Sequence, residues 1–162
     1  MDLAISTVAL IVSIISLGLS YHFWRQTFRP IVTVAVKTNS GGNVSIFYDL
    51  IVRNSGSIPA KNIRLIADKR SLDMAINKSA SQKDRETWLE CFDPNNVIPI
   101  LQDGDQTGCS FGLTSKEENS FWIYKSTLTI TVEYEGWFGS TYRENQLLVI
   151  RDSISFTDGS WS

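Results

Sequence analysis

Residues 3–24 read LAISTVALIVSIISLGLSYHFW, and none of them is Lys, Arg, Asp or Glu. An α-helix rises about 1.5 Å per residue, so this run extends over roughly 33 Å, close to the ~30 Å hydrocarbon core of a bilayer. A core helix of a soluble protein is usually shorter and keeps a polar face. The stretch therefore predicts one transmembrane helix, and the rest of the chain is expected to form a domain tethered to a membrane.

The charges that flank this run predict its orientation. Only Met1 and Asp2 precede it, whereas Arg25, Arg29 and then Lys37 follow it. The positive-inside rule places the Arg-bearing side in the cytoplasm, with a short N-terminus outside the plasma (inner) membrane. The alternative is a cleaved signal peptide and an exported domain, although the basic n-region of a signal peptide is missing here.

The composition argues against several classes of function. The formal net charge of −2 and the lack of a basic stripe argue against nucleic acid as a partner. Cys91 and Cys109 are the only cysteines, and His22 is the only histidine. These three residues do not complete a zinc site, so we expect no metal and no cofactor. The cysteines are interpreted as two reduced or half-buried thiols, with a disulfide as the alternative.

The remainder of the chain predicts a mainly β domain. Short β-branched or alternating segments separated by Gly, Asn and Pro turns are typical of antiparallel strands. In segment 126–134, Leu128, Ile130, Val132 and Tyr134 are expected to point inward. The predicted strands are 31–37, 44–53, 61–68, 97–101, 107–113, 126–134 and 140–150, with a turn at 38–43. Seven strands of this kind favour a two-sheet, immunoglobulin-like antiparallel β-sandwich.

Residues 69–96 interrupt the strand pattern and form an insertion. Within it, Ser81 and Asp84 have the spacing of a helix cap, which predicts a short helix that carries Trp88, Leu89 and Phe92 on one side. The predicted domain organisation is a transmembrane helix with its interfacial flank at 1–29, a β-sandwich at 30–151 and a polar tail at 152–162.

The connection after the second strand, Asn54-Ser55-Gly56-Ser57-Ile58-Pro59-Ala60, predicts a tight corner. Proline fixes φ, and glycine readily adopts positive φ. We therefore expect positive φ at Gly56.

Several of these motifs resemble those of small prokaryotic single-pass membrane-anchored proteins that have an immunoglobulin-like, adhesion-module-like β-sandwich and no known function. The resemblance rests on an N-terminal helix, on Arg29-Pro30 before the first strand, and on the N-x-G-x-x-P-A-x-N corner from Asn54 to Asn62. It also includes a turn at 101–105 and a hairpin from Tyr134 to Tyr142. The resemblance implies a fold, and it does not imply any catalytic or binding activity.

The sequence contains no recognisable catalytic set. His22 lies at the membrane end of the helix, and Glu133 and Glu135 are interpreted as a solvated strand face rather than a glycosidase pair. We therefore expect a non-enzymatic interaction module, an accessory or scaffold subunit of a membrane complex, with no small-molecule substrate evident. The alternatives are an exported envelope β-sandwich protein that binds an extracytoplasmic partner, and an enzyme with an unrecognised site.

Two sets of residues are candidates for partner contact. Small residues at spacings of three and four line one helix face, which favours packing against another transmembrane protein or a second copy of this chain. This small-residue stripe consists of Ser6, Ala9, Ser13, Ser16 and Ser20. The second set is Trp137 and Phe138 in a hairpin turn, which predicts an anchor for a protein partner or the lipid headgroup layer, unless one ring folds back onto the sandwich.

Overall fold

A computed structural model of the protein describes residues 2–42, 44–116 and 120–151, and gives side chains from residue 5 onward. The predicted tail at 152–162 lies outside the described residues. The described chain consists of a long N-terminal helix followed by a domain that is mainly β.

The N-terminal helix, α1, runs from Asp2 to Thr27. It is long and apolar enough to cross a membrane by length and composition. Its side chains from Ile5 to Thr27 are all exposed. The Thr27 hydroxyl donates to the Phe23 carbonyl at 2.9 Å in the last turn, and buried Pro30 follows shortly after, where it cannot continue the helix.

Within the described residues, seven antiparallel strands form two sheets. One sheet has the order β1-β2-β5 and the other β4-β3-β6-β7. The strands are β1 (Val32–Gly41), β2 (Ser45–Asn54), β3 (Ala60–Ala67), β4 (Ile98–Leu101), β5 (Gln106–Ser115), β6 (Thr127–Glu135) and β7 (Thr141–Val149). The prediction of a mainly β domain with seven antiparallel strands and an N-terminal apolar helix is confirmed.

The core lies between the two sheets and follows the period of two. On β6 the four side chains predicted to point inward, Leu128, Ile130, Val132 and Tyr134, are all buried. They join apolar residues of the other sheet, such as Leu50, in one cluster. Burying each large apolar side chain contributes about 1.5–3 kcal/mol, so this cluster is the main source of stability.

The two sides of the sandwich are closed differently. On one side, Gln146 of β7 bridges to β1 of the other sheet. Its Nε2 donates to the Val32 carbonyl at 2.7 Å, and its Oε1 accepts from the Val34 amide at 2.9 Å. On the other side, the insertion covers the gap between β3 and β5, and its partly buried Trp88, Leu89 and Phe92 pack against the core.

The insertion contains two short helices and a 3₁₀ turn: α2 (Lys69–Ala75), α3 (Gln82–Trp88) and Glu90–Phe92. The predicted cap of α3 is confirmed, since Ser81 and Asp84 form a reciprocal capping box. The sequence did not predict α2. Its N-cap is Asp68, whose carboxylate accepts from the Ser71 amide at 2.8 Å.

The predicted turn at 38–43 is wrong in its extent, because β1 continues to Gly41. Thr38 pairs with Tyr48 and is buried, and the register shifts between Thr38 and Ser40. The polar residues stay in the sheet because β2 still offers backbone partners, and because the Asn39 side chain donates to the Asp49 carboxylate at 2.7 Å.

Candidate functional site

The C-terminal end of α1 is fixed to one end of the β domain by two loops. These are the corner at 54–59 and the tip of the β6–β7 hairpin at 136–140, and together with residues 24–31 we call this region the junction. Arg25 Nη2 donates to Ser140 Oγ at 3.0 Å, and Ser57 Oγ donates to the Thr27 carbonyl at 3.3 Å. The helix end is thus hydrogen-bonded to both loops.

Asn54 is the centre of the corner. Its side chain is fully buried and makes four hydrogen bonds. Its Oδ1 accepts from the amides of Ile31 at 3.2 Å and Gly56 at 3.0 Å, and its Nδ2 donates to the carbonyls of Ile58 at 2.8 Å and Leu101 at 3.2 Å. One side chain therefore holds together the corner, β4 and the segment that leads out of α1.

The prediction of positive φ at Gly56 is wrong, since positive φ occurs at Gly104, Gly112 and Gly139 among the described glycines. Gly56 is required for a different reason. A Cβ at this position would lie 2.5 Å from the Ile31 amide nitrogen and 2.6 Å from Pro30 Cα, and closer still to the Arg29 carbonyl oxygen. The corner presses directly against the backbone of the connecting segment, which leaves no room for a side chain.

The connecting segment also rests on the strand residues next to the hairpin tip. The Tyr134 hydroxyl donates to Glu144 Oε1 at 3.1 Å and lies 3.4 Å from the Pro30 carbonyl oxygen. Burial, followed by the negative charge of Glu144, raises the pKa of Tyr134 to about 12. Its ring stacks on Tyr142 at 5.2 Å between centroids. The phenol therefore stays protonated and keeps donating across the physiological pH range.

The hairpin tip carries the two predicted contact residues, Trp137 and Phe138. Their exposed fractions are 53% and 54%, so neither ring belongs to the core. The Phe138 ring lies 5.3 Å from the ring of Trp24 on α1, and Lys61 Nζ lies 3.8 Å from the centroid of Trp137. The tip is therefore beside the helix end and pairs its tryptophan with a cation.

Aromatic residues of α1 continue this surface. Exposed Trp24 and Phe28 contact each other at 5.6 Å between centroids, and Tyr21 stacks on Trp24 at 6.4 Å. We call the exposed aromatic residues at the C-terminal end of α1 and at the hairpin tip the aromatic collar: Tyr21, Phe23, Trp24, Phe28, Trp137 and Phe138. The sequence indicated the contact residues of the hairpin tip but not their place beside the helix end, because the contact is made by residues more than a hundred positions apart.

The small-residue stripe lies along one face of α1 and is exposed throughout. With about 100° per residue, Ser6, Ala9, Ser13, Ser16 and Ser20 fall within an arc of roughly 80°. Ser13 Oγ donates to the Ala9 carbonyl at 2.8 Å, the back-bonding that is common for serine in apolar helices. This bond satisfies the hydroxyl donor of Ser13. The small side chains of the stripe leave a shallow groove along this face of α1.

The other residues considered for chemistry have structural partners. His22 Nε2 is 3.1 Å from Gln26 Nε2 on the helix. Glu133 forms an ion pair with Arg143 at 3.2 Å, and Glu135 accepts from Asn62 at 2.9 Å. The described residues include no group of three or more His, Cys, Asp or Glu side chains that could hold a metal ion.

The two cysteines are not near in sequence but lie in the same part of the fold. Cys91 in the 3₁₀ turn and Cys109 on β5 are free, half-buried thiols. The neighbouring Cys109 thiol, followed by burial, raises the pKa of Cys91. Both residues line a cavity of about 250 Å³ between the sheets.

The fold and the junction define a class of protein: a mainly β domain in two antiparallel sheets, hydrogen-bonded at one end to an exposed, apolar N-terminal helix. The chain belongs to the family described as Domain of unknown function (DUF8453), whose model matches residues 1–152. The match includes the apolar helix as well as all the described strands, so helix and β domain belong to one family unit. A comparison with curated proteins finds no match.

Proposed function

We propose that the protein is a non-enzymatic, membrane-anchored interaction module, an accessory or scaffold subunit of a membrane complex. In this proposal α1 spans the bilayer once, its N-terminal end faces outside, and the β domain is cytoplasmic. The aromatic collar lies in the lipid headgroup layer, and the small-residue stripe packs against another transmembrane helix.

The observation that carries the proposal is the exposure of α1 along its length. Its side chains from Ile5 to Thr27 are all exposed, although most of them are large and apolar. Apolar area in water is unfavourable by about 25 cal/mol per Å², so a helix of this kind requires lipid or another protein around it. The chain supplies no such cover in its described residues.

The junction supports placement of the collar at the membrane surface. Aromatic rings with polar edges concentrate in the headgroup layer, and α1 ends at the collar. The nearest cations are Arg25, whose guanidinium carbon lies 5.9 Å from the Tyr21 centroid, and Lys61 over Trp137. Cations beside the collar favour anionic headgroups, with about 1 kcal/mol for each basic residue near the surface.

The proposed orientation rests on charge. Arg25 and Arg29 follow the span directly, and the opposite flank has no basic residue. Reporter fusions to the C-terminus test this orientation: we expect a fluorescent protein to be bright and alkaline phosphatase to be inactive. The matched control is the same phosphatase fusion placed behind a cleavable signal peptide, where it must be active.

An active phosphatase on the wild-type chain would contradict the cytoplasmic placement. It would favour the alternative, an envelope protein that binds an extracytoplasmic partner. Replacement of Arg25 and Arg29 by Glu provides a second check, since it removes the charge bias and should raise phosphatase activity. Affinity purification of the full chain in mild detergent then identifies the partner that co-purifies.

A further inference from the structure

We propose that the groove between the two short helices of the insertion binds a basic, amphipathic segment from a cytoplasmic loop of a membrane partner. This groove, which we call the insertion groove, has a volume of about 680 Å³. Its lining residues come from the end of β3, from α2, and from α3 with the 3₁₀ turn that follows it. The inference rests on the proposed function, because that proposal places the β domain in the cytoplasm and in a membrane complex.

One part of the lining is apolar. Ile66 and Ala67 of β3 contribute to it, together with partly buried Leu72, Leu89 and Phe92 of the insertion. Ile66 is on an interior strand of its sheet, yet 41% of it is exposed. Apolar side chains that line a concave surface gain free energy when a partner covers them. The insertion groove is therefore suited to receive apolar side chains of another molecule.

The charged part of the lining is predominantly acidic. Four carboxylates and two cations line the groove: Asp73, Glu86, Glu90, Asp93, Lys69 and Arg85. In the part of the chain that the structure describes, none of these six residues belongs to an ion pair. The excess of carboxylates therefore favours a partner that brings its own cations.

The combination of apolar and acidic lining decides which occupant fits. Carboxylates repel anionic lipid headgroups and nucleic acid, so neither is expected in the groove. A segment that carries Lys or Arg beside apolar side chains matches both parts of the lining, as in the docking of an amphipathic helix into a groove. Helices α2 and α3 have seven residues each and are about 10 Å long, which matches about two turns of such a helix.

The source of this segment follows from the proposed orientation. Cytoplasmic loops of membrane proteins carry an excess of Lys and Arg. A cytoplasmic β domain in a membrane complex faces such loops directly. We therefore assign the occupant to a loop of the partner subunit rather than to lipid.

The first experiment measures peptide binding to the full chain in nanodiscs of phosphatidylcholine, whose headgroup has no net charge. The probe is a fluorescein-labelled amphipathic peptide of Leu, Ala and Lys, about four helical turns long. The matched peptide has Glu in place of every Lys, and empty nanodiscs give the background. We expect the lysine peptide to bind at least about tenfold more tightly than the glutamate peptide. Equal binding of the two peptides, or no binding above the background, would overturn the proposal.

Charge variants test whether the peptide occupies the insertion groove. Glu86→Gln with Glu90→Gln should weaken binding of the lysine peptide at least about fivefold, because two carboxylates of the lining are lost. The control is Asp103→Asn with Asp105→Asn, which changes the net charge of the chain equally at exposed positions between β4 and β5 and should bind like wild type. Unchanged binding in the groove variant, or equal weakening in both, would overturn the site.

A second pair of variants tests the apolar part of the lining. Ile66→Thr keeps a β-branched side chain in the strand and should weaken binding at least about fivefold, since apolar contact is lost. Ile100→Thr on β4 is the control, because Ile100 is 43% exposed but does not line the groove. Circular dichroism checks that both variants are folded. Wild-type affinity in Ile66→Thr would overturn an amphipathic occupant.

Crosslinking in cells tests the source of the segment. A photocrosslinking amino acid in place of Lys69 should capture a Lys- and Arg-rich peptide from a cytoplasmic loop of a membrane protein, and the same group in place of Asp103 should not. A soluble protein, or no product that the control lacks, would overturn the assigned partner. An active C-terminal phosphatase would overturn the cytoplasmic placement, and with it the proposed source. Failure of the lysine peptide to bind while the phosphatase is inactive would overturn the insertion groove alone.

Discussion

Asn54 shows how one buried side chain determines the geometry of the junction. It is fully buried, and each of its four hydrogen bonds reaches a different backbone group. We expect Asn54→Ala to lower the free energy of unfolding by about 3 kcal/mol, because it leaves buried amides and carbonyls without partners. Thermal unfolding of the full chain in detergent measures this loss.

The control for Asn54 is another asparagine in a β-strand. Asn39 also makes a side-chain hydrogen bond, to Asp49, but it is exposed. Asn39→Ala should change the unfolding free energy by about 0.5 kcal/mol or less. Equal losses in the two variants would mean that burial of Asn54 is not the source of its effect.

Gly56→Ala is expected to destabilise the protein by about 1–3 kcal/mol, because the new methyl group would overlap the backbone of Arg29, Pro30 and Ile31. Gly42 is the matched control, since a Cβ there would meet nothing within 4 Å and its φ is not positive. Gly42→Ala should leave stability unchanged or slightly raised. Chemical denaturation of both variants distinguishes the close contact from a general effect of glycine replacement.

The corner motif also shows what a residue pattern can and cannot predict. The sequence correctly indicated a tight corner, but it assigned the special backbone conformation to Gly56. The positive φ is instead at Asn62, whose φ is 51° and whose side chain donates to Glu135. Asparagine tolerates this conformation, and the reason that Gly56 is glycine is a contact with a distant segment. Local sequence carries no information on such a contact.

At the level of elements, the period of two predicted strands such as β2 and β6 well because each has one buried face. Helix α2 was missed because its buried residues are only Ser71 and Ala75, which give no apolar periodicity. The cap of α3 was found because a capping box is a local signal that involves residues three apart. The role of Gln146 could not be predicted in this way, because its partners Val32 and Val34 are on β1, an edge strand of the other sheet and distant in sequence.

The hairpin tip is the element for which lipid contact can be measured directly. In nanodiscs that contain lipids brominated near the headgroup end of their chains, bromine quenches nearby tryptophan. We expect the fluorescence of the Trp24→Phe variant to remain quenched, because the proposed function places Trp137 in the headgroup layer as well. Further replacement, Trp24→Phe with Trp137→Phe, should remove most of the remaining quenching.

Equal quenching in these two variants would place Trp137 away from lipid. A second double variant, Trp137→Ala with Phe138→Ala, then separates the other interpretations. We expect it to stay folded, with a midpoint within about 3 °C of wild type, because both rings are half exposed. Loss of a co-purifying protein from this folded variant would favour a protein partner for the tip, and unfolding would assign the rings to the core.

At the scale of the whole molecule, the decisive features are contacts between distant segments. Arg25 donates a hydrogen bond to Ser140, the Trp24 ring lies beside the Phe138 ring, and Cys91 and Cys109 line one cavity. The sequence indicated a helix, a β domain and half-buried thiols, but the order of strands in each sheet and the path of the insertion decide which of these residues meet. The strand order and the path of the insertion are properties of the assembled fold, and the local periodicity of the sequence does not predict them.

The assembled fold also gives the helix a definite direction relative to the β domain. The junction holds the last turn of α1 through hydrogen bonds to both loops. A helix that served only as an anchor would not need these hydrogen bonds, because a flexible linker holds a domain to a membrane equally well. A helix held against the β domain, by contrast, allows a partner to contact one helix face and the β domain together.

The small-residue stripe identifies the helix face that such a partner would use. In lipid, hydrophobicity does not drive helices together, so association depends on close backbone approach and on hydrogen bonds worth about 0.6 kcal/mol each. We expect Ser13→Leu with Ser16→Leu to insert normally but to lose assembly in a membrane two-hybrid or detergent gel assay, because leucine fills the groove. The control, Ile11→Phe with Ile15→Phe, adds bulk on the opposite face and should assemble like wild type. Assembly of the leucine variant at the wild-type level would leave α1 as an anchor alone, whereas loss in both variants would indicate a general defect of the span rather than a specific face.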